Sequence, residues 1–475
     1  MNPTARTRTG ARWVLRANLT ITRSQIESIH NAALELAERV GFEVRPRQLL
    51  ERLRKEAGLT VRSGRVHLRS EQMQAFLRRH RKRHHDPAPN PNAAATLGVG
   101  DRPMRILADD DTSIRPLTRR DVVDGTKLVE MLHDRGVRGG AVGLPSDVPP
   151  LMAPFESILI GLRYARGGGY YTAHGATLWH TEYLEKIARV RAGSFGLSVW
   201  TPSPFRLEGN ELDIALAMEG RFDSLAVGSM PLMGMTAPMD AVKTWTQALA
   251  ETIGGATILQ ALYPSVAVDF YPHSRAADMA TGGYGFGLPE WDLLDLLKWD
   301  ILPFYGLRPP WGKCTMQGAA QLGAQAQQEF ACSVLPGYLM GYREFASGVL
   351  AGGDVFSVVK LFQDLETLSW VERFGRGFEW TDPRKGMDAW VKQARSGRLF
   401  AENESEARKA RRLYRHPRYF VPTSVGQFES APRNLSAEMK AETRELIARH
   451  QYAPDAAMMR EVERIVDYAR QNPPR

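Results

Sequence analysis

The chain has 475 residues, of which 43% are hydrophobic and 24% are charged, and its formal net charge is +9. This size and composition indicate a soluble globular protein with a sizeable core, and they exclude a fibrous, repetitive or wholly disordered chain. The two cysteines, Cys314 and Cys332, and the absence of cysteine or histidine pairs at zinc-finger spacing predict neither a disulfide framework nor a structural zinc site.

Two basic runs, at residues 78–85 and 408–418, carry part of the positive charge. Neither is interleaved with the regular aromatic residues of a nucleic-acid platform, so we interpret both as solvated faces and expect no nucleic-acid partner. An acidic protein partner fits the same charge. The sequence has no run of 18 apolar residues and its start lacks the apolar core of a signal peptide, so we expect a cytoplasmic protein with no membrane association.

Residues 1–20 are predicted to be a basic tail, and residues 21–118 an N-terminal helical appendage with a linker. The stretch "ITRSQIESIHNAALELAERVGFEV" predicts an amphipathic helix that begins with a capping box at Thr22 and Gln25 and ends at Gly41. Two more helices follow, with a hairpin at Ser63 and Gly64 between them. The segment "HHDPAPNPNAAATLGVGDRP" is rich in Pro, Asn and Gly, which predicts a linker or extended loop.

Residues 119–375 alternate short strand patterns with helix patterns. The strand patterns are "GGAVGLP", "GGYYTAHG", "FGLSVWTPSP", "SLAVGSMPL", "VAVDFYPH", "LRPPWGKC" and "LMGYREFA", with an eighth predicted within residues 352–361. This alternation predicts an α/β fold of the (β/α)8 TIM-barrel type, and a doubly wound sheet is the alternative. Residues 376–475 are predicted to be a C-terminal helical extension that packs on the barrel.

The stretch "TGGYGFGLPEW" places several glycines and two aromatic residues after the fifth predicted strand. Active sites of parallel barrels lie at the carboxyl ends of the strands, and glycine lets a loop approach a ligand closely. We therefore predict that Tyr284 and Phe286 lie over the barrel mouth. An ordinary tight turn is the alternative.

Several segments resemble, in the same order, segments of the trimethylamine methyltransferase family. They are "IESIHNAALELAERVGFEV", "SPFRLEGNELD", "SMPLMGMTAPMD", "TGGYGFGLPE", "GVLAGGDVFSVVKLFQDLE" and "HPRYFVPTSVGQF". The resemblance spans most of residues 20–430 and is most specific in the block that contains Met230-Pro231-Leu232 and Thr236-Ala237-Pro238.

The resemblance implies an enzyme that moves a methyl group from a methylated amine to cobalamin, a corrinoid carried by a partner protein or free in solution. The sequence contains no pyrrolysine, so it is similar to the non-pyrrolysine branch, whose characterised members act on quaternary amines such as glycine betaine. That branch often has a histidine where this chain has Glu344-Phe345, and Gly323 stands where we expect an acidic residue. A homo-oligomer is compatible with the resemblance.

A quaternary ammonium group leaves as a neutral amine, so the proposed chemistry needs no catalytic acid or base and no metal ion. Ring faces hold such a cation at about 0.5–2 kcal/mol each, and a carboxylate adds to them. The predicted substrate-binding residues are Tyr171, His174, Trp200, Asp269, Tyr271, His273, Trp311, Glu344 and Phe345, and those predicted to meet the corrinoid are Gly283, Tyr284 and Phe286. A betaine carboxylate would require a cation, for which Arg308, Lys313, Arg343 and His174 are candidates.

Three other interpretations are compatible with the sequence. Aromatic residues on barrel strands commonly fill the core. The chain could be a barrel enzyme of another class, a lyase or hydrolase, for which a metal-dependent rate or a bell-shaped pH profile would be the signature. It could also be a non-catalytic binding subunit, which would show ligand-induced thermal shifts without turnover.

Overall fold

The computed structural model describes residues 12–13, 21–56, 58–83, 93–100, 103–168, 177–307, 312–379 and 381–474. The helices are α1 (Arg23–Val40), α2 (Arg47–Leu53), α3 (Ser70–Arg83), α4 (Arg119–Met131), α5 (Ala153–Tyr164), α6 (Leu178–Ala192), α7 (Asn210–Ala217), α8 (Ala241–Leu262), α9 (Pro289–Ile301), α10 (Ala324–Met340), α11 (Val358–Gly375), α12 (Met387–Arg395), α13 (Glu404–Leu413), α14 (Val425–Ser430), α15 (Leu435–Ala448) and α16 (Ala456–Gln471).

The strands are mostly short. They are β1 (Arg12–Trp13), β2 (Phe42–Val44), β3 (Thr60–Arg62), β4 (Arg65–His67), β5 (Thr96–Val99), β6 (Arg105–Leu107), β7 (Ile114–Pro116), β8 (Val137–Gly139), β9 (Gly196–Thr201), β10 (Arg206–Leu207), β11 (Ser224–Ser229), β12 (Leu232–Met233), β13 (Ala267–Pro272), β14 (Arg275–Asp278), β15 (Gly283–Tyr284), β16 (Gly312–Lys313), β17 (Glu344–Ala346), β18 (Val349–Leu350), β19 (Val355–Phe356) and β20 (Phe378–Glu379). The protein is therefore a mixed α/β protein, as the sequence predicts.

Three parallel strands, in the order β13-β11-β9, form what we call the three-strand arc. Alternate residues of these strands face the helices and are buried with α1 and α8 in one hydrophobic cluster; they are Leu197, Val199, Leu225, Val227, Val268 and Phe270. Helix α8 has 22 residues, most of them buried, and its first turn is capped by Asp240. The opposite side of the arc, its inner face, is therefore set by the remaining residues of each strand.

Four further parallel strands, in the order β16-β17-β5-β8, form the four-strand arc. Its helix-facing residues include Leu97, Val137 and Phe345, which are fully buried beside Phe330 of α10 and Phe362 of α11. The inner face of this arc carries the alternate positions, and Gly98 and Gly312 occupy two of them.

The predicted eighth strand occurs as the two-residue β19 (Val355–Phe356), followed by α11, but it joins neither of the two arcs. Within residues 352–361, Gly352 and Gly353 have φ of +68° and +101°, which suits a turn, and Ser357 caps the start of α11. Between them, β19 pairs with β18 and β6 in a separate small sheet. The strand that joins the parallel pattern instead is β5, which lies in the segment predicted to be a linker and pairs with both β17 and β8.

The remaining predicted barrel strands have mixed outcomes. Strands β9, β11, β13 and β17 occur where the sequence places them, and the first predicted strand, "GGAVGLP", is represented by β8 just before it. The pattern "GGYYTAHG" lies almost entirely outside the described residues, and so does much of "LRPPWGKC". Among the described residues no backbone ladder joins the two arcs, so closure into a complete barrel stays a prediction.

The N-terminal helix and hairpin are confirmed. Helix α1 has the predicted capping box at Thr22 and Gln25 and ends at Gly41. Ser63 and Gly64, both with positive φ, turn the β3-β4 hairpin. The buried face of α1 packs in the same cluster as α8, and β2 pairs with β10, so these residues share a core with the three-strand arc.

The C-terminal hundred residues contain two kinds of helix. Helix α15 packs beside α4 and α11, and α16 packs beside α5 and α6 through Val462 and Val466. By contrast, α12, α13 and α14 bury none of their residues. In the described part of the chain, no helix combines the length and apolar character that a membrane crossing requires.

Candidate functional site

An aromatic row crosses the inner face of the three-strand arc. Gly228 of β11 is paired in register with Trp200 of β9 on one side and with Tyr271 of β13 on the other. Residues paired in register on parallel strands point to the same face, and these three alternate with the helix-packed residues. The row therefore consists of an aromatic residue, a glycine and another aromatic residue, with strands about 4.8 Å apart.

Gly228 is the residue that makes room in this row. A Cβ atom at this position would lie 2.9–3.0 Å from ring atoms of Trp200, so the indole ring extends over the glycine. Tyr271 is 51% exposed although it lies on one of the long parallel strands of the three-strand arc. The inner face at this level is thus open, with two ring systems beside a small residue.

Asp269 lies on the same inner face, two residues before Tyr271. Its carboxylate Oδ1 is 3.4 Å from Nε2 of His80, a fully buried histidine of α3. The Asp269 side chain is 22% exposed, and its register position places a carboxylate two residues before Tyr271.

His273 follows β13 directly and continues its ladder, because its backbone N–H donates to the carbonyl of Ser229 at 2.9 Å. Its ring lies 5.5 Å from the Trp200 ring, centroid to centroid, with an angle of 33° between the planes. On its other side, Nζ of Lys298 is 3.0 Å from Nδ1 of His273. The sequence-predicted pair Trp200 and His273 is thus brought together, and Lys298 supports it.

A buried ionic cluster surrounds Lys298. Helix α9 carries Asp292, Asp295 and Lys298 at a spacing of three residues, which places them on one face. Arg275 donates to Asp295 at 2.8 Å, and Nζ of Lys313 donates to Asp292 and lies 3.6 Å from Asp295. Three cations therefore meet two carboxylates here.

The pKa values in this cluster follow from its burial and charges. Burial lowers the pKa of Lys298 to about 8, and the neighbouring Arg275 contributes to the decrease. Burial lowers the pKa of His273 well below its usual value, with further decreases from Lys298 and Arg275. Burial raises the pKa of Asp295, but Arg275, Lys313 and Lys298 outweigh it, so the pKa of that carboxyl is lower than usual. His273 is accordingly neutral at pH 7 beside a charged Lys298.

The glycine stretch forms an aromatic ladder that ends at this cluster. Strand β15, which includes Gly283 and Tyr284, pairs with β14, and Tyr284 is 47% exposed. The Phe286 ring lies 5.5 Å from Tyr284 and 5.0 Å from Trp291, while the Arg275 guanidinium lies 4.6 Å from the centre of the Trp291 ring. Phe286 is therefore packed between other groups, and Tyr284 provides the exposed ring.

The four-strand arc places Glu344 and Phe345 on opposite faces. Glu344 points to the inner face, where Cβ atoms at Gly98 and Gly312 would lie 2.9 Å and 3.9 Å from its side chain. Burial raises the pKa of Glu344, and Arg138 partly opposes this increase. Phe345 is fully buried in the helix-facing core, so its ring fills the core instead of lining the inner face.

Other predicted residues are placed differently or lie outside the description. Tyr171, His174, Arg308 and Trp311 fall outside the described residues. Nζ of Lys313 is occupied within the ionic cluster, and Arg343 donates to the backbone carbonyls of Tyr338 and Tyr342. Neither cation is therefore directed to the aromatic row.

Sequence reasoning missed Gly228, Arg275, Trp291 and Lys298. Gly228 could have been found by aligning the three predicted strands at their carboxyl ends, which puts a glycine between two aromatic residues. The stripe Asp292, Asp295 and Lys298 on the leucine-rich helix "PEWDLLDLLKWDI" was a second signal. No sequence pattern pointed to the contact between Arg275 and Trp291.

The described residues include a cavity away from the aromatic row and no cluster of metal ligands. No group of three or more His, Cys, Asp and Glu side chains within that part of the chain is arranged to hold a metal ion. A cavity of about 380 Å³, lined by Arg191, Phe195 and Gly196 among others, lies at the amino end of β9. It is at the opposite end of this strand from Trp200.

Two sequence comparisons both identify methyltransferases. A sequence profile described as trimethylamine methyltransferase matches residues 191–466. The glycine betaine methyltransferase of Desulfitobacterium hafniense (strain Y51) is 21% identical over 412 residues, which cover 83% of this chain and 85% of that protein.

Solved structures of a related name also align with the chain at low similarity. The monomethylamine methyltransferase of Methanosarcina barkeri is 13% identical, covering 94% of this chain and 93% of that one, with a TM-score of 0.39. A hydroxylamine complex of the protein named MtmB is 12% identical with the same coverage and the same TM-score.

Proposed function

Because the chain belongs to the trimethylamine methyltransferase family, we propose that it transfers a methyl group from a quaternary amine of the betaine type to the cob(I)alamin of a corrinoid protein. The substrate class is supported by the similarity to a glycine betaine methyltransferase. It is supported further by the chemistry of the inner face of the three-strand arc.

The observation that carries the proposal is the row formed by Trp200, Gly228 and Tyr271. A quaternary ammonium group has no N–H to donate, so polar side chains gain little from it, whereas aromatic faces attract it through their quadrupoles. Two aromatic residues flank a glycine on one open face, and the Trp200 ring extends over that glycine. Asp269 and Glu344 are candidate carboxylates for the same charge.

The reaction needs only binding and orientation from the protein. The bond between nitrogen and the methyl carbon breaks, its electron pair remains on nitrogen, and a neutral tertiary amine leaves without a proton. A corrinoid supplies the cobalt nucleophile that accepts the methyl group. The rings would hold the cation in a fixed direction, and such orientation contributes to rate without acid or base catalysis.

Exposed apolar side chains at this end of the strands support contact with a corrinoid. Tyr284, Met239 and Met279 are 47%, 66% and 61% exposed, and the sulfur atoms of both methionines lie within 3 Å of a Cβ atom built on Gly234. This adaptable apolar surface fits a planar macrocycle. Gly283, Tyr284 and Phe286 are the residues that we propose to hold it, whether cobalamin is free or carried by a partner.

The proposal is tested by incubating the full-length chain with cob(I)alamin and glycine betaine, carnitine, choline or trimethylamine. We expect methylation of the cobalt from at least one carboxylated quaternary amine, measured by the change in the corrinoid absorption spectrum. If none of the quaternary amines reacts, with free cobalamin or with corrinoid proteins of related organisms, the assignment of substrate and acceptor is wrong.

A further inference from the structure

The hydrogen bond between Lys298 and His273 determines which imidazole nitrogen carries the proton. A lysine ammonium group has three donors and no acceptor, so at 3.0 Å it donates to Nδ1 of His273. The neutral ring then carries its own proton on Nε2. This nitrogen is on a different side of the ring from Nδ1 and points away from Lys298.

The neighbours of the His273 ring keep it neutral. Among the described residues, the charged groups that act on the ring are Lys298 of α9 and Arg275 of β14. Lys298 in turn lies among Arg275, Asp295, Lys313 and Cys314. Arg275 and Lys298 both act to lower the pKa of His273, in addition to burial. A second positive charge on the imidazole is thus disfavoured, and Nε2–H is a neutral donor.

A neutral donor next to Trp200 suits one kind of substrate in particular. The two rings are 5.5 Å apart, so a molecule whose ammonium group lies on Trp200 has its neighbouring atoms within reach of the His273 edge. A cationic donor there would repel that ammonium group, whereas a neutral N–H can bind an oxygen without doing so. The Lys298 charge, on the far side of the ring, still attracts an anion.

We propose that His273 binds an anionic oxygen of the substrate through Nε2–H, and that Lys298 is a positioning residue that fixes this tautomer. The inference rests on the proposed function, which it deepens by selecting ammonium carboxylates over simple tetraalkylammonium ions. Neither Lys313 nor Arg343, the described cations expected from the sequence to bind the carboxylate, takes that role in this arrangement.

The first test reads the tautomer directly in the wild-type full-length chain. With 15N-labelled histidine, assigned by comparison with His273→Asn, we expect the spectrum at pH 7 to show a neutral ring with the proton on Nε2. Acetate serves as an anionic probe, and we expect it to shift the Nε2 resonance of His273. A proton on Nδ1, an imidazolium ring, or no response to acetate would overturn the inference.

The second test compares Lys298→Met, which removes the donor, with Lys298→Gln, which keeps an N–H donor. We expect Lys298→Met to reduce the ratio of affinities for glycine betaine and tetramethylammonium about tenfold, and Lys298→Gln to retain most of that ratio. Binding is measured by calorimetry, and thermal unfolding identifies a variant that does not fold. Equal losses for both ligands in Lys298→Met would show that Lys298 has a merely structural role, contrary to the inference.

The two tests separate this inference from the proposed function. If no quaternary amine is demethylated but acetate still shifts Nε2, the proposed function fails and the anion site at His273 stands. If glycine betaine and tetramethylammonium are bound and demethylated equally well by the wild-type chain, the proposed function stands and the anion site is refuted.

Discussion

The two arcs of parallel strands differ on their inner faces. The three-strand arc has strands of six residues and presents Trp200 and Tyr271 around Gly228. The four-strand arc has strands of two to four residues and presents Glu344 between Gly98 and Gly312. Parallel barrels usually fill such faces with bulky aliphatic layers. One arc therefore provides a rigid contact surface, and the other provides space and a carboxylate.

The largest effect is expected from removing the tryptophan of the three-strand arc. Trp200→Ala deletes one ring face, and the loss of about 2 kcal/mol of cation binding corresponds to a roughly thirty-fold decrease in kcat/KM for the quaternary amine. Trp370→Ala is the matched control, because that tryptophan is 48% exposed on α11 and stacks on Phe374. Similar kinetics for both variants would contradict the assignment of the aromatic row.

The next effect compares glycines of the two arcs. Gly228→Ala places a methyl group against the rigid indole ring of Trp200, so we expect activity to fall about tenfold as the ring shifts. Gly98→Ala places one 2.9 Å from the flexible carboxylate end of Glu344, which can move, and we expect less than about a threefold change. Steady-state kinetics of the two variants check the contrast, and a larger loss at Gly98 would reverse the roles of the arcs.

A smaller effect is expected at the rim. Tyr284→Ala removes an exposed ring that we propose to meet the corrinoid, so KM for cob(I)alamin should rise about threefold to tenfold while amine binding is unchanged. Phe286→Ala should cost stability as well, because that ring contacts Trp291 and lies 2.6 Å from a Cβ atom built on Gly352. Unchanged turnover in both variants would contradict the assignment of Tyr284 to corrinoid contact.

The smallest effect is a pH-dependent change in stability in the four-strand arc. Burial raises the pKa of Glu344 above 4.5, so the folded state holds this proton more tightly than the unfolded state does. The folded protein therefore loses the stability that the protonated Glu344 contributes as the pH rises above 4.5. The variant Glu344→Gln should be more stable than the wild type at pH 7. We expect the difference in unfolding free energy to vanish below pH 4.5. A constant difference across this range would refute the raised pKa.

The sequence predicted local features well when neighbouring residues determine them. The capping box of α1, the hairpin turn at Ser63 and Gly64, and the long apolar strands of the three-strand arc are examples. Short strands were the failures. Four residues of β5 within a Pro-rich and Asn-rich segment carry too little pattern to be recognised. The apolar residues after Gly352 do form the short β19, but nothing in their pattern shows that it pairs outside the two arcs.

Site residues followed the same rule. Trp200, Tyr271 and His273 could be selected as candidates from the sequence because they stand at the carboxyl ends of long strands. Strand alternation puts Phe345 in the core although it neighbours Glu344. Lys298 reaches His273 from a helix 25 residues away in sequence. Such a contact depends on how α9 packs across the end of β13, which no local pattern encodes.

The position of β5 also constrains how the chain reaches its native state. The backbone N–H of Thr96 donates to the carbonyl of Arg343. This contact can form only after 247 further residues have been made. The three-strand arc, by contrast, draws on a continuous stretch and can assemble earlier. During synthesis the three-strand arc can therefore form while β5 has only β8, one of its two partner strands, to pair with. Pairing that spans so much of the chain slows folding, so we expect slow maturation of the four-strand arc.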